Sequence, residues 1–333
     1  MLTPEIQEVK SYLQNYSMVP VFYEFLSDSY TPVHIYKALS KDEEVSFILE
    51  SVNNAEQWGR YSFIGIHPQK EIKIHSHKAQ YIIGGKKEVI KTDNPVDFIT
   101  KILDEYKSPK FSGKPNLTGG LIGYFGYDTV RYTEKKLTNI PNDDIEMPDC
   151  HLYLYDEIVA YDHLSSKVII IFNINRNSDV EAQFELCESK AKQIQEKIMD
   201  YKDESYKNKN SKHEITVTSN VTREEYINNV IKAKEHIVNG DIFQIVLSQR
   251  FEIENPPDSF DVYRLLRASN PSPYLYYFKT PEYHISGASP EMLVNVTDRI
   301  VKTKPIAGTI KRGKTEAEDK AMENALNSDE KER

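Results

Sequence analysis

The chain has 333 residues, of which 39% are hydrophobic and 28% charged, and its formal net charge is -9. This length allows two cores of ordinary domain size in a globular protein. The negative charge and scattered basic residues argue against a nucleic-acid partner, because such a surface repels phosphate backbones. Cys150 and Cys187 lack the spacing of a zinc site. Without an apolar signal segment or a membrane-length run, the chain is expected to be cytoplasmic, with no membrane partner.

Predicted helices and strands alternate along the first 199 residues. Thr-Pro or Asn-Pro pairs mark helix starts near Thr3, Thr31 and Asn94, and a longer helix is expected from about Ser178 to Met199. The β-rich runs between them, such as VSFILES, YSFIGI, EIKIHS and KVIIIFNI, follow one another too closely for parallel crossover connections. The pattern therefore predicts an α+β fold with largely antiparallel sheets.

A polar stretch divides the sequence at residues 200–213, DYKDESYKNKNSKH. It contains almost nothing apolar except two tyrosines and is predicted to be a solvated linker. We therefore predict an N-terminal lobe over 1–199 and a second domain over 214–333. The second domain opens with a T-x-x-E capping box at Thr222 and Glu225, which starts a helix.

Three features after that helix could carry chemistry. A long strand, DIFQIVLSQRFEI, is predicted after Gly240, and Gln244 on it is either a half-exposed sheet residue or a polar group in a pocket. Glu291 follows the small-residue turn GASP and is either a solvated carboxylate or a general acid. The basic loop KTKPIAGTIKRGK, from Lys302, is either an exposed turn or an anion site built from N–H groups and cations.

Part of the basic loop also matches a nucleotide-binding pattern. Residues 308–315, GTIKRGKT, fit the P-loop consensus G-x-x-x-x-G-K-[ST]. A P-loop, however, opens a parallel βαβ domain whose later strands supply a magnesium-binding aspartate. A single predicted helix follows here before Arg333, so we do not expect a nucleotide site.

Five segments together resemble the signature series of the chorismate-utilising enzymes. They are GGLIGYFGYDTVR, GDIFQIVLSQRF, NPSPYLYYF, GASPEML and KTKPIAGTIKRG, in this order over nearly the whole chain. ESVNNAEQWGRYSFIG, from Glu50, resembles the amino-terminal region of anthranilate synthase large subunits. The resemblance implies the fold of that family, with antiparallel sheets packed as a sandwich and helices outside. It also implies that further family residues follow Arg333.

The resemblance implies conversion of chorismate and ammonia to anthranilate and pyruvate in tryptophan biosynthesis, with a glutamine amidotransferase subunit as the ammonia source. Family members that add water carry a lysine where this sequence has Gln244, and a neutral amide cannot act as that base. Aminodeoxychorismate synthases usually carry a nucleophilic lysine where this sequence has Ala307. Aminodeoxychorismate synthase stays an alternative, as does a tryptophan-binding fragment without catalysis.

The same resemblance assigns roles at the substrate. Glu291 would assist departure of the C4 hydroxyl group, while Gln244 would offer a hydrogen bond at the amination site. Gly308 and Thr309 would hold the substrate carboxylate through a backbone N–H group and a hydroxyl group, with Ala307 beside them.

A magnesium ion is expected to bridge the substrate carboxylate to protein carboxylates, since this hard cation prefers oxygen ligands. Of the carboxylates that the resemblance assigns to the metal, Glu332 lies in this sequence and the others are expected after Arg333. We therefore expect the 333-residue chain by itself not to turn chorismate over.

A second site is implied by similarity to the tryptophan feedback pocket of these enzymes. A free amino acid needs a carboxylate for its ammonium group, a cation or N–H groups for its carboxylate, and an apolar slot for its side chain. Leu275 stands where methionine is usual, which preserves volume but removes a polarizable sulfur. The alternative is a surface ion pair of Glu50 with Arg60 and a plain NPSP turn. The residues expected to line the pocket are Glu50, Ser51, Arg60, Asn270, Pro271, Ser272, Pro273, Tyr274 and Leu275.

Overall fold

The computed structural model describes residues 1–51, 59–76, 78–83, 86–203, 215–306 and 308–330. Contacts divide the chain into two compact units. The first unit combines Met1–Lys202 with Leu266–Arg333, and the second is Asp203–Leu265. The predicted division into 1–199, 200–213 and 214–333 stays a prediction, and most of the predicted linker lies outside the described residues.

A seven-stranded antiparallel sheet forms the centre of the first unit. Its two last strands come from beyond residue 266, and the first of them pairs with a strand from the first 70 residues, so distant parts of the sequence share one sheet. The strands, in spatial order, are β1 (Met18–Leu26), β10 (Lys167–Asn175), β9 (Glu157–Asp162), β3 (Tyr61–Ile66), β2 (Ser46–Glu50), β13 (Tyr274–Lys279) and β14 (His284–Ser289).

A five-stranded antiparallel sheet and a two-stranded ribbon complete the strands of the first unit. The sheet runs in the order β6 (Lys86–Lys91), β5 (Lys78–Ile83), β4 (Lys70–His75), β8 (Cys150–Tyr155) and β7 (Gly120–Phe125), and the 3₁₀ helix Tyr127–Tyr132 follows β7. The ribbon pairs β15 (Met292–Thr297) with β16 (Ile300–Lys304).

The two larger sheets share one hydrophobic core. The ring of Phe47 on β2 meets the ring of Tyr155 on β8 edge to face, with centroids 4.8 Å apart. The core carries apolar side chains from both sheets, as expected for sheets packed face to face. Together with the antiparallel pairing, this confirms the α+β sandwich. The buried residues of this shared core are Phe22, Phe47, Ile122, Tyr153, Tyr155, Ile158, Ala160, Ile169 and Ile171.

Four helices of the first unit begin near the positions expected from the sequence. The hydroxyl of Thr31 accepts from the N–H of His34 at 3.2 Å, and the side chain of Asn94 accepts from Val96 N–H at 3.0 Å. No helix in the described ranges is long and apolar enough to span a membrane. The helices are α1 (Ile6–Tyr12), α2 (Pro32–Ser40), α3 (Pro95–Leu103) and α4 (Val180–Asp200), and the first unit ends with α7 (Glu316–Ser328).

The second unit contains β11 (Thr216–Ser219), α5 (Arg223–Val238), β12 (Phe251–Glu254) and the greater part of α6 (Ser259–Ser269). The predicted capping box is confirmed, because Thr222 Oγ1 accepts from Glu225 N–H at 3.2 Å and Glu225 Oε2 accepts from Thr222 N–H at 2.8 Å.

The long strand predicted after Gly240 is wrong over most of its length. Residues 241–250 are irregular, and strand structure is confined to β12, which pairs with β11. Phe243 and Val246 are 94% and 83% exposed, so alternation does not divide the segment into a buried and an open face. Strand hydrogen bonds need a neighbouring strand, and none within the described residues lies beside 241–250.

Candidate functional site

One end of the seven-stranded sheet brings together most of the residues predicted to bind an amino acid. Glu50, the last residue of β2, lies directly opposite Leu275 of β13 in the antiparallel register. Directly opposed residues project to the same face of a sheet. Leu275 is buried, and its side chain therefore supplies apolar surface beside the carboxylate of Glu50.

Glu50 is a buried carboxylate that pairs with an arginine of α6. Its side chain is 2% exposed, and its Oε2 accepts a hydrogen bond from Nε of Arg267 at 2.8 Å. A buried charge requires a charged or strongly polar partner, because losing water is costly. The expected alternative of an ion pair between Glu50 and Arg60 is wrong, since Arg60 has a different partner.

That partner of Arg60 is Asp162, at the end of β9. Arg60 Nε and Nη2 donate to the two oxygens of Asp162 at 3.1 and 2.8 Å, a two-pronged pair. Burial acts to raise the pKa of Asp162, but the hydrogen bonds from Arg60, Ser165 and Leu164 N–H outweigh it and hold the pKa below its usual value. Arg60 is therefore fixed at the same end of the sheet as Glu50.

Ser51 has the clearest signature of a ligand-facing group. Its hydroxyl is buried and has no hydrogen-bond partner among the described residues. A buried hydroxyl without a partner costs free energy that a bound polar ligand can recover. Ser51 directly follows Glu50 in the chain, so a hydroxyl group and a carboxylate are adjacent at the end of β2.

The turn at residues 270–274 forms the other predicted wall. Ser272 is buried, and its hydroxyl donates to the carbonyl of Asn270 at 3.3 Å, while Asn270 and Pro271 are exposed. Pro273 and Tyr274 are partly buried and lead into β13. The turn is therefore held against the sheet at its middle and open to solvent at its start.

Sequence reasoning missed three residues of this cluster, namely Arg267, Asp162 and His163. His163 Nε2 lies 2.8 Å from the hydroxyl of Ser62, and burial lowers its pKa; Arg267 acts in the same direction, while Glu50 and Asp162 oppose it. A usable signal was present for Arg267, because it lies in the last turn of α6 immediately before the NPSP turn.

A second candidate site is an open cleft of about 420 Å³ between the basic loop and α7. Gly308 and Thr309, predicted to hold a substrate carboxylate, both line it. Arg312 binds Asp319 through two nitrogens and holds the pKa of that carboxyl below its usual value. The described residues that line it are Gly308, Thr309, Ile310, Lys311, Arg312, Asp319, Met322, Glu323 and Leu326.

Glu291 lies beside the start of the loop that carries Gly308 and Thr309. Its Oε1 accepts a hydrogen bond from the N–H of Ile306 at 3.0 Å, across the β15–β16 ribbon. Ser289 Oγ accepts from the backbone N–H of Glu291 at 3.3 Å and fixes the local turn. The predicted acid is thus exposed, anchored, and close in the chain path to the predicted carboxylate-binding residues.

The segment that matches the P-loop consensus has two of its backbone N–H groups occupied. Asp319 Oδ1 accepts from Gly313 N–H at 2.9 Å, and Glu318 Oε2 accepts from Lys314 N–H at 2.8 Å. A P-loop leaves such N–H groups free to cradle phosphates. The preceding strand, β16, is half of an antiparallel ribbon, so the parallel context is also absent from the described residues.

The chain matches the chorismate binding enzyme family over residues 45–333, which is most of its length. It belongs to that family. It is 43% identical to anthranilate synthase component 1 of Acetivibrio thermocellus over 341 residues, covering 100% of this chain and 68% of the relative. It is 37% identical to the Pseudomonas putida protein of the same name, covering 95% of this chain and 65% of the relative.

A solved member of the family has the same fold. Anthranilate synthase component I from Streptococcus pneumoniae superposes with a TM-score of 0.68 at 34% identity, covering 85% of this chain and 59% of that one. These findings confirm the resemblance to anthranilate synthase component I. This chain spans about two thirds of the length of the curated relatives named above.

Several positions singled out by the family resemblance stay predictions. Gln244 is exposed in the irregular segment of the second unit, whereas Glu291, Gly308 and Thr309 belong to the first. Ala307 and Glu332 lie outside the described residues. Within the described ranges, no group of three or more histidine, cysteine or acidic side chains is placed to hold a metal ion. The described residues therefore do not build the expected magnesium site, and no step below is routed through the metal.

Proposed function

We propose that the protein is the chorismate-aminating subunit of anthranilate synthase, with ammonia and chorismate as substrates and anthranilate and pyruvate as products. The proposal is supported by membership of the chorismate binding enzyme family and by relatives named anthranilate synthase component 1. The observation that carries it is the hydrogen bond from Ile306 N–H to Glu291, which holds an acid next to the loop of Gly308 and Thr309.

In the proposed reaction, ammonia attacks C2 of chorismate while the C4 hydroxyl group leaves. Glu291 gives a proton to the departing oxygen, because a positioned acid turns a poor hydroxide leaving group into water. The N–H group of Gly308 and the hydroxyl group of Thr309 bind the ring carboxylate in the cleft beside α7. Elimination of pyruvate then restores the aromatic ring.

The nucleophile is proposed to be ammonia and not water because Gln244 is a neutral amide. Water needs a base to become a strong nucleophile, whereas unprotonated ammonia does not. Ala307 likewise offers no nucleophile, which disfavours the covalent route expected for aminodeoxychorismate synthase. A glutamine amidotransferase partner as ammonia source, magnesium as a requirement and the cytoplasm as location complete the proposal.

Product analysis tests this assignment. The protein as its organism produces it is incubated with chorismate, ammonia and magnesium, and the products are separated and identified by mass. Anthranilate with an equal amount of pyruvate is expected. An aminated product that retains its pyruvyl group would identify an aminodeoxychorismate synthase, and isochorismate would overturn amination altogether. Glutamine replaces ammonia as donor only when the amidotransferase is added.

We also propose that tryptophan, the end product of this route, binds at the end of the seven-stranded sheet. The observation that favours this second site is the buried, unpartnered hydroxyl of Ser51 next to Glu50. Glu50 would receive the ammonium group, Ser51 and Arg60 would contact the carboxylate, and Leu275 and the 270–274 turn would cover the indole ring. Binding there would inhibit turnover by favouring one arrangement of the protein.

A further inference from the structure

Arg267 occupies one oxygen of the carboxylate that the proposed amino-acid ligand needs. Its guanidinium donates to Oε2 of Glu50 at 2.8 Å, and Glu50 is the carboxylate proposed to receive the ligand's ammonium group. Resting on that proposed tryptophan site, we infer that Arg267 is a built-in competitor for Glu50, so that ligand binding exchanges one cation for another.

The two side chains differ in their freedom to move. The Glu50 side chain is 2% exposed at the end of a strand paired on both sides, whereas the Arg267 side chain is 36% exposed in the last turn of α6. An arginine side chain tolerates partial exposure. Its guanidinium can therefore turn into the solvent while the backbone of Arg267 stays in α6. The carboxylate of Glu50 stays buried in the sheet, and a buried carboxylate that loses a cationic partner is destabilised. The ligand's ammonium group therefore replaces the guanidinium as the cation that pairs with Glu50.

Neighbouring charges make Arg267 the residue suited to this exchange. Arg60 is held by both oxygens of Asp162, so it does not compete for Glu50. Burial lowers the pKa of His163, which interacts electrostatically with Glu50, Arg267 and Asp162, and this favours its neutral form. Two cations beside one buried carboxylate repel each other, so the ammonium group and the guanidinium compete for Glu50. Arg267 thereby sets the ligand concentration at which the site fills.

Calorimetry with two ligands tests the exchange. The 333-residue chain and its Arg267→Gln variant are titrated at pH 8 with tryptophan and with indole-3-propionate, which keeps the carboxylate and indole but lacks the amine. Removing the competitor is expected to raise tryptophan affinity about tenfold, the value of one charged hydrogen bond. Indole-3-propionate affinity is expected to stay unchanged, since this ligand has no ammonium group to bind Glu50.

Other outcomes separate the alternatives. A fall in affinity for both ligands would mean that Arg267 holds the carboxylate, and an unchanged tryptophan affinity would mean that the ion pair is only structural; either overturns the inference. If indole-3-propionate binds neither protein, the change in tryptophan affinity alone decides: a rise in Arg267→Gln supports the exchange, and a fall overturns it. Absence of tryptophan binding to the unmodified chain would instead reject the proposed regulatory site itself.

Two further variants control for folding. Arg264→Gln removes an arginine one turn earlier on α6 that pairs with Asp261 at 2.9 Å, and it is expected to leave both affinities unchanged. Arg267→Lys keeps the charge on a side chain that lacks the planar fork, and tryptophan affinity is expected to rise less than in Arg267→Gln. If Arg267→Gln does not fold, as judged by its thermal unfolding curve, a rise in tryptophan affinity for Arg267→Lys supports the exchange and no rise refutes it.

Discussion

Glu50 and Leu275 are directly opposed on neighbouring antiparallel strands although they are far apart in the sequence. This one register places the end of β2, the start of β13 and the preceding NPSP turn at the same end of the sheet. A carboxylate suited to an ammonium group, a buried hydroxyl and apolar surface suited to a side chain thus become neighbours.

Ser51 tests this proposed pocket. Ser51→Ala is expected to weaken tryptophan binding about tenfold while leaving the free energy of unfolding equal or up to about 1–3 kcal/mol higher, because a buried hydroxyl without a partner is removed. Ser51→Phe should abolish binding by filling the pocket. Calorimetry measures affinity and urea unfolding measures stability.

Ser27→Ala is the matched control for Ser51. Ser27 also has a buried hydroxyl without a partner in the described ranges, but it lies outside the predicted pocket. It should change stability in the same direction without affecting tryptophan affinity. Unchanged tryptophan binding by Ser51→Phe would count heavily against the site.

Glu291 tests the proposed chemistry. Glu291→Gln keeps an acceptor for Ile306 N–H but cannot release a proton, so kcat for anthranilate formation is expected to fall about 10²–10⁴-fold. Tm should change little because Glu291 is exposed. Asp298→Asn, at the turn between β15 and β16, serves as the control and should retain full activity. Equal rates for Glu291→Gln and the unmodified enzyme would remove the acid from the mechanism.

Glu71 is expected to contribute pH-dependent stability. Its Oε1 accepts from His151 Nε2 at 2.8 Å and from the Tyr153 hydroxyl at 3.0 Å, and Lys73 lies 3.1 Å away. Burial acts to raise its pKa, but hydrogen bonds from His151 and Lys73 outweigh it and lower the pKa to about 2. Because the folded pKa lies below the unfolded value of 4.5, the carboxylate stabilises the fold above about pH 4.5 and loses that effect toward pH 2.

Urea unfolding of Glu71→Gln checks this sign. At pH 7 the variant is expected to be less stable than the unmodified chain by about 2–3 kcal/mol, and the difference should shrink as pH falls below about 4.5. Glu282→Gln is the control, because this exposed carboxylate contacts Lys73 at 2.7 Å in the same cluster. Loss of such an exposed ion pair is expected to lower the free energy of unfolding by at most about 1 kcal/mol. A difference for Glu71→Gln that grows toward acid pH would contradict the assignment.

The P-loop match is expected to be without function. Because Asp319 and Glu318 occupy the N–H groups of Gly313 and Lys314, ATP with magnesium should show no saturable binding up to about 1 mM in calorimetry. Lys314→Ala should behave identically. Micromolar ATP binding that this substitution abolishes would revive a nucleotide site.

The sequence by itself determined the features that depend on a few neighbouring residues. The helix starts at Thr31, Asn94 and Thr222 follow from side chains that cap N–H groups two or three positions away. The β-rich runs also became strands, and their close spacing gave the antiparallel sheets. Signature segments then identified the family and most of the residues that meet at the end of the central sheet.

Only the tertiary structure decided which partners those residues have. Arg60 pairs with Asp162 and Glu50 with Arg267, and neither pairing is visible in local spacing. The apolar alternation around Gln244 suggested a strand, but the segment is irregular because a strand depends on a neighbour to complete its hydrogen bonds. Capping acts over one helical turn, whereas register and ion pairing depend on packing between distant segments, which no local pattern encodes.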